Sequence, residues 1–240
     1  MSCLIASINR NLLGFCFWLG IASAYVMGQN SSLSVLIAEF TGNDCESARS
    51  SLDTLLIELN DEPNSSGVVL FRGEDGDPIP IYRQQSIVER HLLFRQFDKT
   101  RIVFRYSLDQ KQLRTELWKT DTKDFNPVGE VVEALSAFKL KRVTLVHRES
   151  WTDSIGCSYS FDLSVYSRML YNHDRSIGRV VIHARTAKDF VTKRQRIVEM
   201  LKQRHKDVSS RVEFAFVESK RADIEYWLIP KDMLAEESER

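Results

Sequence analysis

The sequence predicts an α+β protein made of two tandem β-α-β-α-β-β units, each a two-layer sandwich, that follow a cleaved signal peptide. Three observations lead to this prediction: a short apolar run near the N-terminus, an internal repeat with an offset close to 110 residues, and the same order of helical and strand-like patterns in both halves. Hydrophobic residues make up 43% of the 240 residues and charged residues 28%. This composition is that of an ordinary globular protein and excludes collagen-like and low-complexity chains.

Residues 1–28 have the pattern of a secretory signal. Arg10 precedes an apolar run at residues 12–22, and a helix of that length spans about 16 Å, roughly half of a bilayer core. An A-x-A pattern follows and favours cleavage before Tyr25, with cleavage before Gln29 as a second option. An uncleaved anchor or a buried N-terminal helix is the alternative. We therefore expect a periplasmic or secreted protein with no membrane span in the mature chain.

The net charge limits the class of partner, and the cysteine content bears on disulfide formation. Lys and Arg number 33, as do Asp and Glu, so no global electrostatic argument favours nucleic acid. Loss of the signal leaves Cys45 and Cys157 of the four cysteines. In an oxidising compartment two thiols can form one disulfide, and two unpaired buried thiols are the alternative. We predict a bond between Cys45 and Cys157 across the two repeats.

The internal repeat is the strongest feature after the signal. Residues 83–89 (RQQSIVE) resemble residues 193–199 (KRQRIVE), and the same offset of 110 aligns strand-like segments that follow them. Near the end of each copy the offset is 109, and upstream it is expected to be 112, where Val68 corresponds to Val180. Small changes of offset are typical of insertions in loops. Several matches in the same order indicate a duplicated unit.

Each copy is expected to contain the same elements. A helix follows Cys45, because leucines recur at i, i+3, i+4 and i+7, and Pro63 ends it. Residues 157–170 fit an alternating strand or a helix, and we choose the helix because the repeat requires it. Strands are expected at 34–40, 67–71, 102–106 and up to Trp118, then at 142–147, 179–183, 212–216 and up to Trp227; second helices are expected at 81–97 and 187–205.

The repeat also sets the domain boundaries. They are a signal peptide at 1–28, a first repeat at 32–119, a linker at 120–139, a second repeat at 140–230 and a tail at 231–240. The linker is a polar stretch that contains Pro and Gly, and this composition is typical of a connection between folded units.

The unit resembles the OmpA-like peptidoglycan-associated domain, and more closely a group of secreted bacterial proteins related to it. The shared motifs are CE at 45–46, LNDEP at 59–63, the hydrophobic strand at 68–71 and ELW at 116–118; copy two keeps Cys157, Asn172, residues 180–182 and EYW at 225–227. The resemblance implies the fold and an envelope location.

The resemblance also implies a candidate ligand site. OmpA-like domains hold a peptidoglycan stem peptide with an Asp in the loop after the central strand and an Arg on the next helix. The corresponding residues here are Asp75, Arg83 and Arg90, although the surrounding family signature is absent. A solvated acidic loop beside an exposed basic helix face is the alternative interpretation.

The catalytic inventory of the sequence is sparse. We find no nucleophile elbow, no His-Glu-x-x-His motif and no phosphate-binding loop, and the five histidines are not at metal-ligand spacing. We therefore predict no catalytic residue, no metal and no cofactor. The sequence favours a non-enzymatic extracytoplasmic protein of the bacterial envelope that binds or scaffolds. A peptidoglycan-binding module and an enzyme with an unrecognised site are the alternatives, and the basic helix at 187–205 allows an anionic envelope partner.

Overall fold

The computed structural model describes residues 34–42, 45–121, 125, 129–149 and 163–233. These residues belong to one compact unit that starts at Ser34. The predicted signal peptide and its cleavage sites lie outside the described residues, as does Cys157. Within the described ranges, no helix combines the length and the apolar character needed to cross a membrane.

Both halves of the described chain have the predicted order of elements, which confirms the α+β fold class. The first half contains β1 (Val35–Thr41), α1 (Cys45–Asp61), β2 (Ser66–Arg72), α2 (Ile79–Phe94), β3 (Ile102–Ser107) and β4 (Arg114–Thr120). The second half contains β5 (Thr144–Glu149), α3 (Leu163–Asn172), β6 (Ser176–Ala184), α4 (Ala187–Arg204), β7 (Val212–Glu218) and β8 (Ile224–Pro230). Short 3-10 helices lie at Lys99–Arg101, Leu135–Ala137 and Lys206–Arg211.

The two sheets have the same topology. Their strand orders are β1-β4-β2-β3 and β5-β8-β6-β7. The central strands β2 and β6 pair in parallel with β3 and β7, and the other pairs are antiparallel. Even the irregularity recurs, because the register shifts between Leu36 and Ala38 in the first sheet and between Leu145 and His147 in the second. An insertion at equivalent positions supports descent of both halves from one unit.

The strand register corrects one part of the expected alignment. Gly67 pairs with Ile102 and Gly178 pairs with Val212, so β2 corresponds to β6 at an offset of 111 and not 112. Val69, rather than Val68, therefore occupies the position of Val180. The physical reason is the glycine, because a Cβ added to Gly67 would crowd Ile102, Leu59 and Leu55, and a Cβ added to Gly178 would crowd Tyr166 and Leu170. Runs of hydrophobic residues match at several registers, whereas this close approach fixes one.

The helix chosen for copy two is confirmed over residues 163–172. Val165, Met169 and Leu170 are buried along one side of α3, just as the periodic leucines of α1 are buried. Residues 157–161, which supplied the alternating pattern, lie outside the described residues.

Equivalent arginines cap the first helix of each repeat. Arg101 donates from Nη2 to the carbonyl oxygens of Leu59 at 2.6 Å and Ser65 at 2.9 Å. Arg211, at the same place in the second repeat, donates to the carbonyl oxygens of His173 and Ser176, both at 3.0 Å. The last carbonyls of a helix have no partner within the helix, and a cation there also opposes the negative end of the helix dipole.

The four helices form one layer that joins the repeats. Contacts run from α1 to α2, from α2 to α3 and from α3 to α4, so α2 and α3 are internal and α1 and α4 lie at the two ends. One continuous hydrophobic cluster includes Leu52 and Val88 of the first repeat and Met169 and Leu201 of the second. The two repeats therefore fold as one body with a shared core.

Candidate functional site

A buried polar network lies at the junction of the two repeats. Asn172 donates from Nδ2 to the Tyr82 hydroxyl at 2.9 Å, and this hydroxyl lies 3.3 Å from Nε2 of His173. Burial lowers the pKa of His173 to about 4, against the opposing charge of Asp174, and burial raises the pKa of Tyr82. The ring is therefore neutral and the phenol protonated at neutral pH, and the imidazole tautomer sets the direction of the hydrogen bond between the Tyr82 hydroxyl and Nε2.

A bidentate ion pair flanks this network. Arg168 on α3 donates from its two terminal nitrogens to the Glu89 carboxylate on α2 at 2.9 and 2.8 Å. The Tyr106 hydroxyl donates to Oε1 of Gln85 at 3.1 Å on the same side of α2, and burial raises the pKa of Tyr106 to about 12. The α2–α3 junction thus holds the repeats together with directional contacts.

The predicted ligand-binding residues of the first repeat contact the second repeat. Asp75 forms an ion pair with Lys141, and Arg83 donates to the Val146 carbonyl oxygen. Beside them, Arg142 pairs with Asp77 at 2.9 Å. The end of the first repeat beyond β2 is therefore closed by the segment that opens the second repeat.

The remaining predicted site residues lie elsewhere. Arg90 is half-buried on α2, two turns beyond Arg83. A ligand-binding role for Asp75, Arg83 and Arg90 stays a prediction. Cys45 is 2% exposed at the first position of α1, and its predicted bond to Cys157 also stays a prediction.

The corresponding end of the second repeat is an open cleft of about 360 Å³. The cleft lies between the end of β6, the start of α4 and the β7–β8 turn; it is lined by Ala184, Arg185, Asp189, Thr192, Lys193 and Ala222. The offset of 110 relates Lys193 to Arg83, which is engaged at the junction. The same place in the unit is thus filled in one repeat and accessible in the other.

The charges of the cleft have opposite signs. Arg185 and Lys193 supply two cations and Asp189 a carboxylate. The backbone of Asp189 is fixed, because its N–H donates to the Thr186 hydroxyl at 3.1 Å and so caps α4. Carboxylate–amine and guanidinium–carboxylate contacts are strong when geometry is preorganised. The cleft can therefore accept a ligand or a segment with both an acidic and a basic group.

Helix α4, which forms one wall of the cleft, is poorly covered. Of its 18 residues only Ile197 and Leu201 are buried, whereas the equivalent α2 buries nine of 16. The difference has a simple cause: α2 packs between α1 and α3, and α4 has a helical neighbour on one side, α3. A helix face that is buried in one repeat is solvent-exposed in the other.

The outer faces of the two sheets differ in the same way. In the first sheet Arg72 and Glu116 are buried, and Arg72 Nε lies 2.9 Å from Glu116 Oε1. In the second sheet their equivalents are His183 and Glu225, which lie 3.7 Å apart and are only partly buried. The Glu-x-Trp motif forms a local hydrogen bond in both copies. The Trp118 indole donates to Glu116 at 3.1 Å, and the Trp227 indole donates to Glu225 at 3.0 Å.

One His–Asp pair has a structural explanation. His91 Nε2 lies 2.7 Å from Asp53 Oδ1, and Arg95 binds the same carboxylate. The hydrogen bond from Arg95, with that from His91, lowers the pKa of Asp53 against its partial burial. This cluster joins α1 to α2, and His91 is 4% exposed. Among the described residues, no group of three His, Cys, Asp or Glu side chains could hold a metal ion.

Sequence reasoning missed the junction residues. Glu89, Arg168 and Tyr82 have no distinguishing pattern until two helices from different repeats meet. The repeat was the available signal, because a duplicated unit joined through its helices leaves one unpaired helix face at each end. The second repeat offers Thr186 and Asp189 with Arg194 at the place of the predicted ligand site, also without the family signature, and Asp189 lines the cleft.

The fold and the cleft define a duplicated α+β protein with one closed and one open unit end. No protein-family model matches the chain, and no curated protein matches it. Among solved structures it is similar to a cyanuric acid hydrolase described as an evolutionary innovation by structural concatenation, with 11% identity and a TM-score of 0.24. The similarity covers 81% of this chain and 66% of that chain, so the chain spans just under two thirds of the hydrolase. A score this low carries no argument about fold or function.

Proposed function

We propose that this protein is an exported, non-enzymatic protein of the bacterial envelope that binds or scaffolds, and that the open end of its second repeat is the binding surface. One observation carries the proposal. The cleft formed by Arg185, Asp189 and Lys193 is open, whereas the equivalent end of the first repeat is occupied through Arg83 and Asp75. In the first repeat, this end of the unit already binds another segment of the same chain.

The chemistry of the cleft favours binding over catalysis. A nucleophilic mechanism needs a nucleophile, a base within hydrogen-bond reach and an orienting group. The residues that line the cleft include two cations, a carboxylate and one threonine hydroxyl. These side chains supply charge recognition. The signal-like pattern of residues 1–28 supports export, which agrees with an envelope partner.

A second candidate function is direct binding of a peptidoglycan stem peptide in the same cleft. The specific support is that Asp189 offers a carboxylate for a ligand amine, and that Arg185 and Lys193 offer cations for a ligand carboxylate. Such a zwitterionic pattern is the one that the OmpA-like resemblance implies. The ligand position in this version is the second repeat rather than the first.

Lys193→Ala is expected to weaken binding of the purified protein to an envelope fraction by roughly tenfold or more, because a charge-assisted hydrogen bond contributes roughly 1.5–3 kcal/mol and about 1.4 kcal/mol is a factor of ten. Asp189→Asn should weaken binding to isolated sacculi by a similar factor if the ligand is a stem peptide. The measurement is a pull-down titration of each variant against both materials. Lys206→Ala, an exposed change outside the cleft, is the matched control.

The outcomes separate the two candidates. Loss of envelope binding in the Lys193 variant without binding to sacculi supports the general proposal and excludes the stem peptide. Unchanged binding of both cleft variants would remove the cleft from the proposed function. Turnover of a defined substrate, abolished by a cleft substitution, would overturn the non-enzymatic assignment.

A further inference from the structure

We propose that a second copy of this chain docks on the open end, with α4 of one molecule packed against α1 of the next, so that the protein associates head to tail. This inference rests on the proposed function, because it names the partner of the same surface. It extends the helix layer, which ends at α1 on one side and at α4 on the other. A head-to-tail contact of this kind is heterologous and generates a ring or a filament.

The junction inside the chain is the structural precedent. There α2 meets α3, with Tyr82 against Asn172 and Glu89 against Arg168, so the two helices run in opposite directions. The repeat offsets place α4 where α2 lies and α1 where α3 lies. Thr192 then corresponds to Tyr82 and Asp61 to Asn172, while Ile57 takes the place of Arg168. The intermolecular contact therefore uses a packing geometry that the unit already forms.

The two helices have complementary charge. Helix α4 carries six basic and two acidic residues, and α1 carries four acidic residues and one basic residue. The antiparallel arrangement brings the N-terminal half of α4, with Lys193 and Arg196, to the C-terminal end of α1 at Asp61. Opposite charges on the two faces attract, and the attraction steers association.

The C-terminal end of α1 also has an internal reason to accept cations. Its last turn contains no basic residue, and Asp61 is exposed there beside Glu62. A carboxylate near the negative end of a helix dipole is destabilising. Arg101 already caps the last carbonyls, and the Lys119 ammonium lies 3.0 Å from Glu58 and 2.8 Å from Glu62. Asp61 is the acidic residue of this end that an arginine from a second molecule would neutralise.

Apolar side chains accompany the charges on both faces. Ile57 on α1 is 61% exposed, and on α4 Val191 is 55% exposed and Met200 38% exposed. Under the repeat equivalence Ile57 meets the face of α4 near Glu199 and Met200. Removing these side chains from water would favour association through the hydrophobic effect.

The decisive experiment is sedimentation velocity of the purified protein with paired charge reversals. The wild type is expected to associate at about 0.01 M salt and to dissociate at about 1 M, where the Debye length falls from roughly 30 Å to 3 Å. Arg196→Glu alone and Asp61→Lys alone should each be monomeric at low salt. An equimolar mixture of the two variants should associate again, because each brings one unaltered face to the other's unaltered face.

Lys111→Glu, an exposed charge reversal in the β3–β4 turn, should associate as the wild type does. A wild type that is monomeric at low salt, single reversals that still associate, or a mixture that stays monomeric would each overturn the inference. If envelope binding still depends on Lys193 while self-association is absent, this inference fails and the proposed function stands.

Discussion

Replacing Arg72 by Met is expected to lower the free energy of unfolding by about 3 kcal/mol, because a buried carboxylate loses its main cation. The Arg72 and Glu116 side chains are 7% and 6% exposed. Breaking a buried pair costs about 3–5 kcal/mol, and Arg114 Nε, 3.2 Å from Glu116, keeps the loss at the low end. Urea denaturation at neutral pH measures it.

The repeat provides the matched control for this prediction. His183 occupies the position of Arg72, and its side chain is 24% exposed. His183→Met is expected to cost less than about 1 kcal/mol, because Nε2 of His183 lies 3.7 Å from Glu225, beyond hydrogen-bond distance, and Arg148 still pairs with that carboxylate. In the double variant Arg72→Met with Glu116→Gln, the total loss should be smaller than the sum of the two single losses. Equal losses for Arg72→Met and His183→Met would contradict the account of a covered and an uncovered sheet face.

Acidification is expected to cost the protein up to about 3 kcal/mol through His173 alone, as the pH falls from 6.5 to 4. Burial depresses the folded-state pKa of His173 to about 4 from 6.5, so the unfolded chain takes up a proton that the folded chain does not. The contribution is present above pH 6.5 and is lost as the pH falls toward 4. Unfolding curves across this range measure the effect.

The variant His173→Gln isolates that contribution. A glutamine can still form a hydrogen bond with Tyr82, and it does not titrate. The free energy of unfolding of this variant should therefore fall less steeply than that of the wild type between pH 6.5 and 4. The control His205→Gln changes a histidine that stacks on Tyr171 outside the junction and should retain the wild-type pH dependence. Parallel curves for the wild type and His173→Gln would show that the junction histidine is not buried in its neutral form.

Most of the fold could be predicted from the sequence, because elements that are clear in one copy could be used to assign those of the other. The leucine spacing of α1 justified a helix at α3, where the alternating pattern alone favoured a strand. The offset of 112 was wrong by one residue, because Val68, Val69 and Leu70 all match a β-branched run. Gly67 and Gly178 determine the register through close helix approach, which is a tertiary constraint.

Only part of the candidate site could be predicted from the sequence. The resemblance pointed to the loop after the central strand and the next helix, and the cleft of the second repeat lies in the equivalent region. It did not reveal which copy has that region open, because the answer depends on Lys141, Arg142 and Val146 folding back on the first repeat. Contacts between separate units are set by packing of whole surfaces, and local patterns do not encode them.

Hydrogen–deuterium exchange on the whole protein tests the central claim most directly. The amides of residues 79–88 on α2 and their equivalents at 189–198 on α4 should differ, with slow exchange in α2 and faster exchange in α4 when the protein is free at high salt. Addition of the envelope fraction, or a change to low salt, should slow exchange in α4 and leave α2 unchanged. Equal exchange of the two helices in the free protein would contradict the claim that one end of the duplicated unit is closed and the other open.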